Sequence, residues 1–194
     1  MTSGFLLINK ERGISSQKVD ATLKRNLHLN KVGHLGTLDP LADGLLVVAV
    51  NDATKYLKYF DNLSKTYEFG LLIGASSASL DLETELENFV YTDLRCKESL
   101  IDDILTNFPR SYNQTPPIYS AIKKDGIPLY KYAIKNVDIE IKEREANIFS
   151  LERVSDISFE NDTSIVSIKT HVSKGFYIRS FARDLGLKLS LPTT

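Results

Sequence analysis

Cysteine is nearly absent from this chain. Only Cys96 is present in 194 residues, which excludes an intramolecular disulfide framework and any zinc site built on cysteine alone. Histidine is scarce too, and His28, His34 and His171 are too scattered to read as a metal cluster. Long hydrophobic runs are missing: the longest, Leu45 to Val50, falls far short of the ~20 residues that a membrane span needs. At the N-terminus Phe5-Leu6-Leu7-Ile8 is shorter than a secretory apolar core of about 7 residues, so a cytoplasmic protein with no membrane segment is expected. No repeat, low-complexity tract or linker divides the sequence, which reads as one domain over residues 1–194. An excess of either charge is lacking as well. With 24 Lys+Arg against 25 Asp+Glu the net charge is −1, and that total alone argues against a nucleic-acid partner.

The distribution of charge argues the other way. Bases dominate from Lys10 to Lys31, from Arg110 to Lys135 and from Lys169 to Lys188, while acids gather between Asp81 and Asp103. Basic stretches converging on one face would hold a polyanion on a neutral protein. An ordinary solvated surface is the alternative.

Hydrophobic spacing predicts mixed α and β structure. Phe5 to Ile8 reads as a strand, followed by a turn at Arg12-Gly13 and a helix capped by Ser15 or Ser16, with Val19, Leu23 and Leu27 at helical intervals. Residues 33–44 hold three glycines and a proline, which predicts a loop without regular structure. Leu45 to Val50 reads as a buried strand, Asp52 as the cap of a short helix through Phe60, and Thr66 to Ile73 as another strand. Leu100, Ile101, Ile104, Leu105 and Phe108 predict a helix, and a second, short one is expected around Leu129 to Ile134. Long strands over Ala146–Val154 and Ile165–Val172 and a closing helix over Ile178–Leu189 complete the chain. Strands and helices intermix without βαβ alternation, so the class expected is α+β with a mostly antiparallel central sheet flanked by helices and loops.

The chemistry-bearing stretch is Gly33-His34-Leu35-Gly36-Thr37-Leu38-Asp39-Pro40-Leu41-Ala42-Asp43-Gly44. Pro40 restricts Asp39 to an extended backbone, which projects its carboxylate from the loop as a candidate nucleophile or general base; a turn residue is the plain alternative. No Lys-Ser/Thr follows the last glycine, so a P-loop is excluded. His34 reads either as a base-contacting imidazole or as a surface histidine. Tyr67 is a cross-strand packer or an aromatic platform for a base. Thr115 to Lys123 is a stiff loop with a basic end, and the Ser173 to Ser180 stretch places Tyr177 and Arg179 at a helix start.

Taken together, these segments resemble the TruB-type tRNA pseudouridine synthases. GHLGTLDPLADGLL is similar to that family's signature loop, and Gly4–Lys10 with Gly13-Ile14-Ser15-Ser16, KTYEFG, PPIYSAIKKDG and VSKGFYIRSFARDLG resemble its other motifs in order, from Gly4 to about Leu189. The resemblance implies a pseudouridine synthase fold and isomerisation of uridine in the T loop of tRNA, at position 55, after the base is flipped out. It implies Asp39 as the catalytic aspartate, Tyr67 stacking on the uracil and removing a proton, and Arg179 pairing with the aspartate. Tyr177 would be a substrate-contacting neighbour, His34 a residue that displaces the base, and Lys10 a support for the first strand. Asp81 falls where the family has an acidic residue in the hydrogen-bond network. No cofactor and no metal are expected, the partner is the tRNA T stem-loop, and a monomer suffices. An RNA-binding module without catalysis is the competing class, and it has no use for Asp39.

Two departures from the family pattern stand out. In the stretch before and after Asp81, Ala78 replaces an acid and Glu83-Thr84 replaces an acid and a glycine. Family members also continue past the closing helix into a Leu-Arg-Arg segment and often a PUA domain. The expectation is therefore a catalytic domain lacking its C-terminal end, with no PUA domain.

Overall fold

Strand β1 (Gly4–Lys10) alternates strictly, turning Leu6, Ile8 and Lys10 inward and leaving Phe5 and Leu7 outward. That period of two is the signature of a strand with one covered face. In this computed structural model, which describes residues 2–60 and 62–194, the chain divides into two compact units, 1–63 and 64–194.

In the first unit β1 is followed by helix α1 (Ser16–Asn26), strands β2 (Val32–Leu35) and β3 (Gly44–Val50), and a 3₁₀ helix (Asn51–Tyr59). The strands form an antiparallel sheet in the order β1-β3-β2. Val19 and Leu23 of α1 pack on Leu6, Ile8, Leu46, Val48 and Val50, so one face of the sheet carries this unit's core. Leu27, expected to continue that stripe, ends the helix and stays exposed; Leu29 enters the core instead. Ser15 is the cap, its hydroxyl accepting from the Lys18 N–H at 3.2 Å.

Three further expectations for this unit need correction. Residues 33–35 are not loop but part of β2, because the edge of β3 supplies hydrogen bonds that outweigh the glycine's weak strand preference. Asp52 lies within the first turn of the 3₁₀ helix, where it pairs with Lys55 at 2.6 Å, and does not cap it. The helix begins at Asn51, whose left-handed backbone lets its Oδ1 accept from the Asn30 and Lys31 N–H groups. Leu45, expected to be buried, is exposed at the start of β3.

The second unit is built on β12 (Thr163–Val172). Strand β4 (Lys65–Ile73) pairs along one side of it; β10 (Arg144–Arg153) and β11 (Ser158–Glu160) share the other side, and β7 (Ser111–Gln114) lies outside β10. Helices α2 (Glu98–Asn107) and α4 (Ile178–Leu189) bury Ile101, Leu105, Phe181, Ala182 and Leu185 against Leu71, Ile73, Val166, Ile168 and Ile148 of the sheet. Phe181 meets Phe69, Phe108 and Phe176 edge to face at 5.1–6.0 Å, the geometry that aromatic quadrupoles favour. Short ribbons β5–β6 (Ser76–Ser77, Leu86–Glu87) and β8–β9 (Lys123–Lys124, Ile127–Pro128) and helix α3 (Leu129–Ile134) fill the connections. After α4 the chain doubles back: a Cβ at Gly186 would lie 2.7 Å from the Leu191 carbonyl, so only glycine admits this approach. Thr194 then exchanges both backbone hydrogen bonds with Leu72 at 3.0 Å. Among the described residues every strand pair is antiparallel, which agrees with the α+β class read from the sequence.

Candidate active site

In the first unit the Asp39 loop is pinned on both sides of the aspartate by groups other than its carboxylate. Ser16, fully buried at the start of α1, uses one hydroxyl twice: it donates to the Leu38 carbonyl and accepts from the Leu38 N–H, both at 3.0 Å. Pro40 is held by its carbonyl, which accepts from the Gly13 N–H at 2.7 Å and from Lys10 Nζ at 3.3 Å. Inside the loop the Asp39 carbonyl accepts from the Ala42 N–H at 3.0 Å. Tertiary contacts on both sides of Asp39 thus add to the local restriction that Pro40 places on its backbone.

Lys10 is the largest side chain buried in this way, only 1% exposed. Its ammonium spends its three donors on the carbonyls of Glu11, Ile14 and Pro40, at 3.0, 2.8 and 3.3 Å. Burial pushes the ammonium below its usual value, and the Asp43 and Asp39 carboxylates oppose that shift. A cation at the end of β1 therefore ties the following turn to the loop and sets positive charge near both aspartates. His34, on β2, is fixed at each nitrogen: Nδ1 lies 2.7 Å from Asp20 Oδ2 of α1 and Nε2 lies 3.3 Å from Thr37 Oγ1.

In the second unit Tyr67, on β4, pairs with Thr170 of β12 and packs partly buried against the core. Tyr177 immediately precedes α4, and its backbone is clamped by the buried Gln114 side chain. The Tyr177 N–H donates to Gln114 Oε1 at 2.9 Å, and Gln114 Nε2 donates to the Tyr177 carbonyl at 3.1 Å. Arg179, in the first turn of α4, ties that helix to two other segments of this unit. Nη1 donates to the Ser79 carbonyl at 3.0 Å, Nη2 to the Tyr119 carbonyl at 2.9 Å, and Nε lies 3.6 Å from Asp81 Oδ2. The other Asp81 oxygen accepts from Ser79 Oγ at 2.6 Å and from the Glu83 N–H at 2.9 Å. Arg179, Asp81, Tyr119 and Ser79 thus form one hydrogen-bonded group. Within the first unit the Asp43 and Asp39 carboxylates act on the Lys10 ammonium through their charge.

Among the described residues no group of three or more His, Cys, Asp or Glu side chains could hold a metal ion, and no helix is long and apolar enough to cross a membrane. The sequence pattern of the TruB family pseudouridylate synthase (N terminal domain) matches residues 24–178.

This chain belongs to the TruB family.

The TruB-family chain is 38% identical over 192 residues to the tRNA pseudouridine synthase B of Bacillus pumilus, covering 99% of this chain and 62% of that protein. It is 38% identical over 189 residues to the protein of the same name from Streptococcus mutans, covering 97% of this chain and 64% of that one. The chain therefore spans a little over three-fifths of the length of these curated relatives. In three dimensions it matches a chain of a Cbf5-Nop10-Gar1 complex with a TM-score of 0.66 and 26% identity, over 98% of this chain and 45% of that one. The fold is the pseudouridine synthase fold expected from the sequence.

Ser16 and Asp20 in the first unit, and Gln114 in the second, make side-chain contacts to candidate segments that local sequence pattern does not mark. Ser16 reads in the sequence as a candidate helix cap, and nothing around Asp20 marks it as a partner of His34. Gln114 sits at the end of β7, and nothing local marks its amide as a partner for Tyr177, 63 residues away.

A second polar group supports α4. Tyr112 Oη donates to Asp184 Oδ2 at 3.3 Å, and Arg183 bridges to Asp184 Oδ1 at 2.8 Å. Burial pushes the Asp184 carboxyl up despite Arg183, and burial pushes the Tyr112 phenol up as well. A raised carboxyl means that the folded state still holds the proton at pH values where the unfolded chain has lost it, so stability falls as pH rises through that window. The stability of wild type relative to Asp184→Asn is therefore expected to decline as pH climbs from about 4. Urea midpoints of both proteins across a pH series measure this, and a pH-independent difference would contradict it.

Proposed function

We propose that this chain isomerises uridine to pseudouridine in the T loop of tRNA, at position 55. The observation that carries this reading is the identity of 36–38% to proteins named tRNA pseudouridine synthase B, in matches that cover nearly the whole chain. The physical arrangement supports it. A carboxylate rises from a loop whose backbone is clamped at Leu38 and Pro40, and such a group is pre-positioned and does not have to be ordered during the reaction.

In the proposed reaction the target base leaves the loop stack at a cost of a few kcal/mol, offset by contacts to the protein. Asp39 then acts on the nucleotide, either by attacking the sugar or base or by taking the C2′ proton. The C1′–N1 bond breaks, the uracil turns, and C1′ bonds to C5, while any bond made to Asp39 breaks with its electron pair returning to the carboxylate, or the C2′ proton is given back. The C5 proton departs and N1 ends protonated, so atoms and electrons balance with neither water nor an oxidant entering. Such an isomerisation calls for neither cofactor nor metal. His34 is assigned to base displacement, Tyr67 to stacking and proton removal, and Tyr177 to substrate contact. Arg179 is assigned as the guanidinium of the site, Asp81 as its local carboxylate, and Lys10 as the support of the first strand and loop. On this reading the enzyme works as a monomer in the cytoplasm.

The test is tritium release from a T stem-loop RNA labelled at C5 of its uridines. Release from the target position by the wild-type chain is expected, together with its loss when cytidine replaces the target uridine. Binding of the RNA without release would favour an RNA-binding module instead.

A further inference from the structure

We propose that Asp20 is a positioning residue for His34: its carboxylate anchors the imidazole through Nδ1 and so fixes which nitrogen, Nε2, is offered as an acceptor to an RNA hydrogen-bond donor. This inference rests on the proposed function, since it gives His34 its part in displacing the base. The contact joins two elements of the first unit, α1 and β2, with Asp20 Oδ2 2.7 Å from His34 Nδ1. Both side chains are mostly buried, at 20% and 14% exposure.

The chemistry of the pair sets the direction of the bond. An ionised carboxylate can only accept, so Nδ1 carries the proton, and the neutral ring then keeps a lone pair on Nε2. The Thr37 hydroxyl, 3.3 Å from Nε2, is a donor that an incoming RNA group can replace. The β2 backbone adds rigidity, because His34 is paired with Val48 of β3. The other oxygen of Asp20, Oδ1, is buried with no hydrogen-bond partner among the described residues. An acceptor left unsatisfied in this way lowers stability, and such groups in native structures call for a reason beyond packing. Holding His34 supplies one: the carboxylate is kept where it serves the imidazole rather than where it would be fully solvated. In the sequence Asp20 is only one acid among the bases of α1, and its partner lies fourteen residues away on a strand.

Long-range nitrogen–proton NMR of the histidine rings tests the tether directly. At a pH where the ring is neutral, His34 of the wild-type chain is expected to show its proton on Nδ1, with its signal identified by loss in His34→Asn. In Asp20→Ala that signature should give way to the Nε2–H form. A wild-type His34 protonated on Nε2, or an unchanged ring in Asp20→Ala, would overturn the proposal. The wild-type spectrum alone already decides the first point, whatever the fate of the variant.

Kinetics test the consequence. With the T stem-loop substrate, the single-turnover rate of tritium release by Asp20→Ala should fall on the order of tenfold, the scale expected when a group is held less well in place. The dissociation constant of the RNA should stay within about twofold, as for a contact used in the reaction step rather than in ground-state binding. Equal losses in rate and affinity, or no loss in rate, would overturn the positioning role. A wild-type chain that releases no tritium overturns the proposed activity, and with it Asp20's part in that activity, while the ring spectrum still decides the tether.

Discussion

Asp39→Ala is expected to lower tritium release by about 10⁴-fold or more, the scale seen when an acting side chain is removed, and to leave affinity for the T stem-loop nearly unchanged. The second half of that expectation comes from the structure of the loop. Backbone bonds hold it through Leu38 to Ser16, through the Pro40 carbonyl to Gly13 and Lys10, and through the Asp39 carbonyl to Ala42. Each of these bonds survives removal of the carboxylate. The loop should therefore keep its path and its RNA-facing surface, and the variant should unfold in urea close to the wild-type midpoint. Asp39→Asn is the sharper companion: it keeps the size and polarity of the side chain and removes only its charge and basicity. If Asp39→Asn retained a rate within about tenfold of wild type, the carboxylate would be a binding group rather than the acting one.

Parts of this fold were legible from spacing alone because local pattern and tertiary environment agree. The alternation of β4 and β12 and the helical stripe of α2 needed no partner to be recognised. The errors occur where a distant segment decides the outcome. Gly33 looked like a loop residue, yet the unpaired edge of β3 draws it into β2. Asp52 looked like a cap, yet Asn51 takes the left-handed position and binds the backbone of residues 30 and 31. The candidate site divides in the same way. Asp39, Tyr67 and Arg179 lie in motifs that a linear reading can find. Ser16, Asp20 and Gln114 act through partners on other elements, 14 to 63 residues away. A buried side chain that clamps another residue's backbone leaves no periodic trace, since its own neighbours in sequence do not share its task.

Arg179→Ala is expected to lower the stability of the second unit by about 3 kcal/mol, near the lower end of the range for breaking a buried ion pair. The Arg179 guanidinium is only 10% exposed and the Asp81 carboxylate 16%. Removing the cation leaves that carboxylate without its charge partner and deprives the Ser79 and Tyr119 carbonyls of their donors. Asp81 keeps the Ser79 hydroxyl and the Glu83 N–H, which places the expected loss toward the lower end of that range. Arg179→Lys should recover little of it. A lysine ammonium is a compact donor and cannot span two carbonyls and a carboxylate set around a planar fork. Urea unfolding of wild type and both variants measures the difference. A loss below about 1 kcal/mol in Arg179→Ala would mean that solvent satisfies the three acceptors, because that is the scale of an exposed pair. Release of tritium should fall in both variants. If Arg179→Lys regained stability but not activity, the guanidinium would have a role at the substrate beyond the scaffold it holds together.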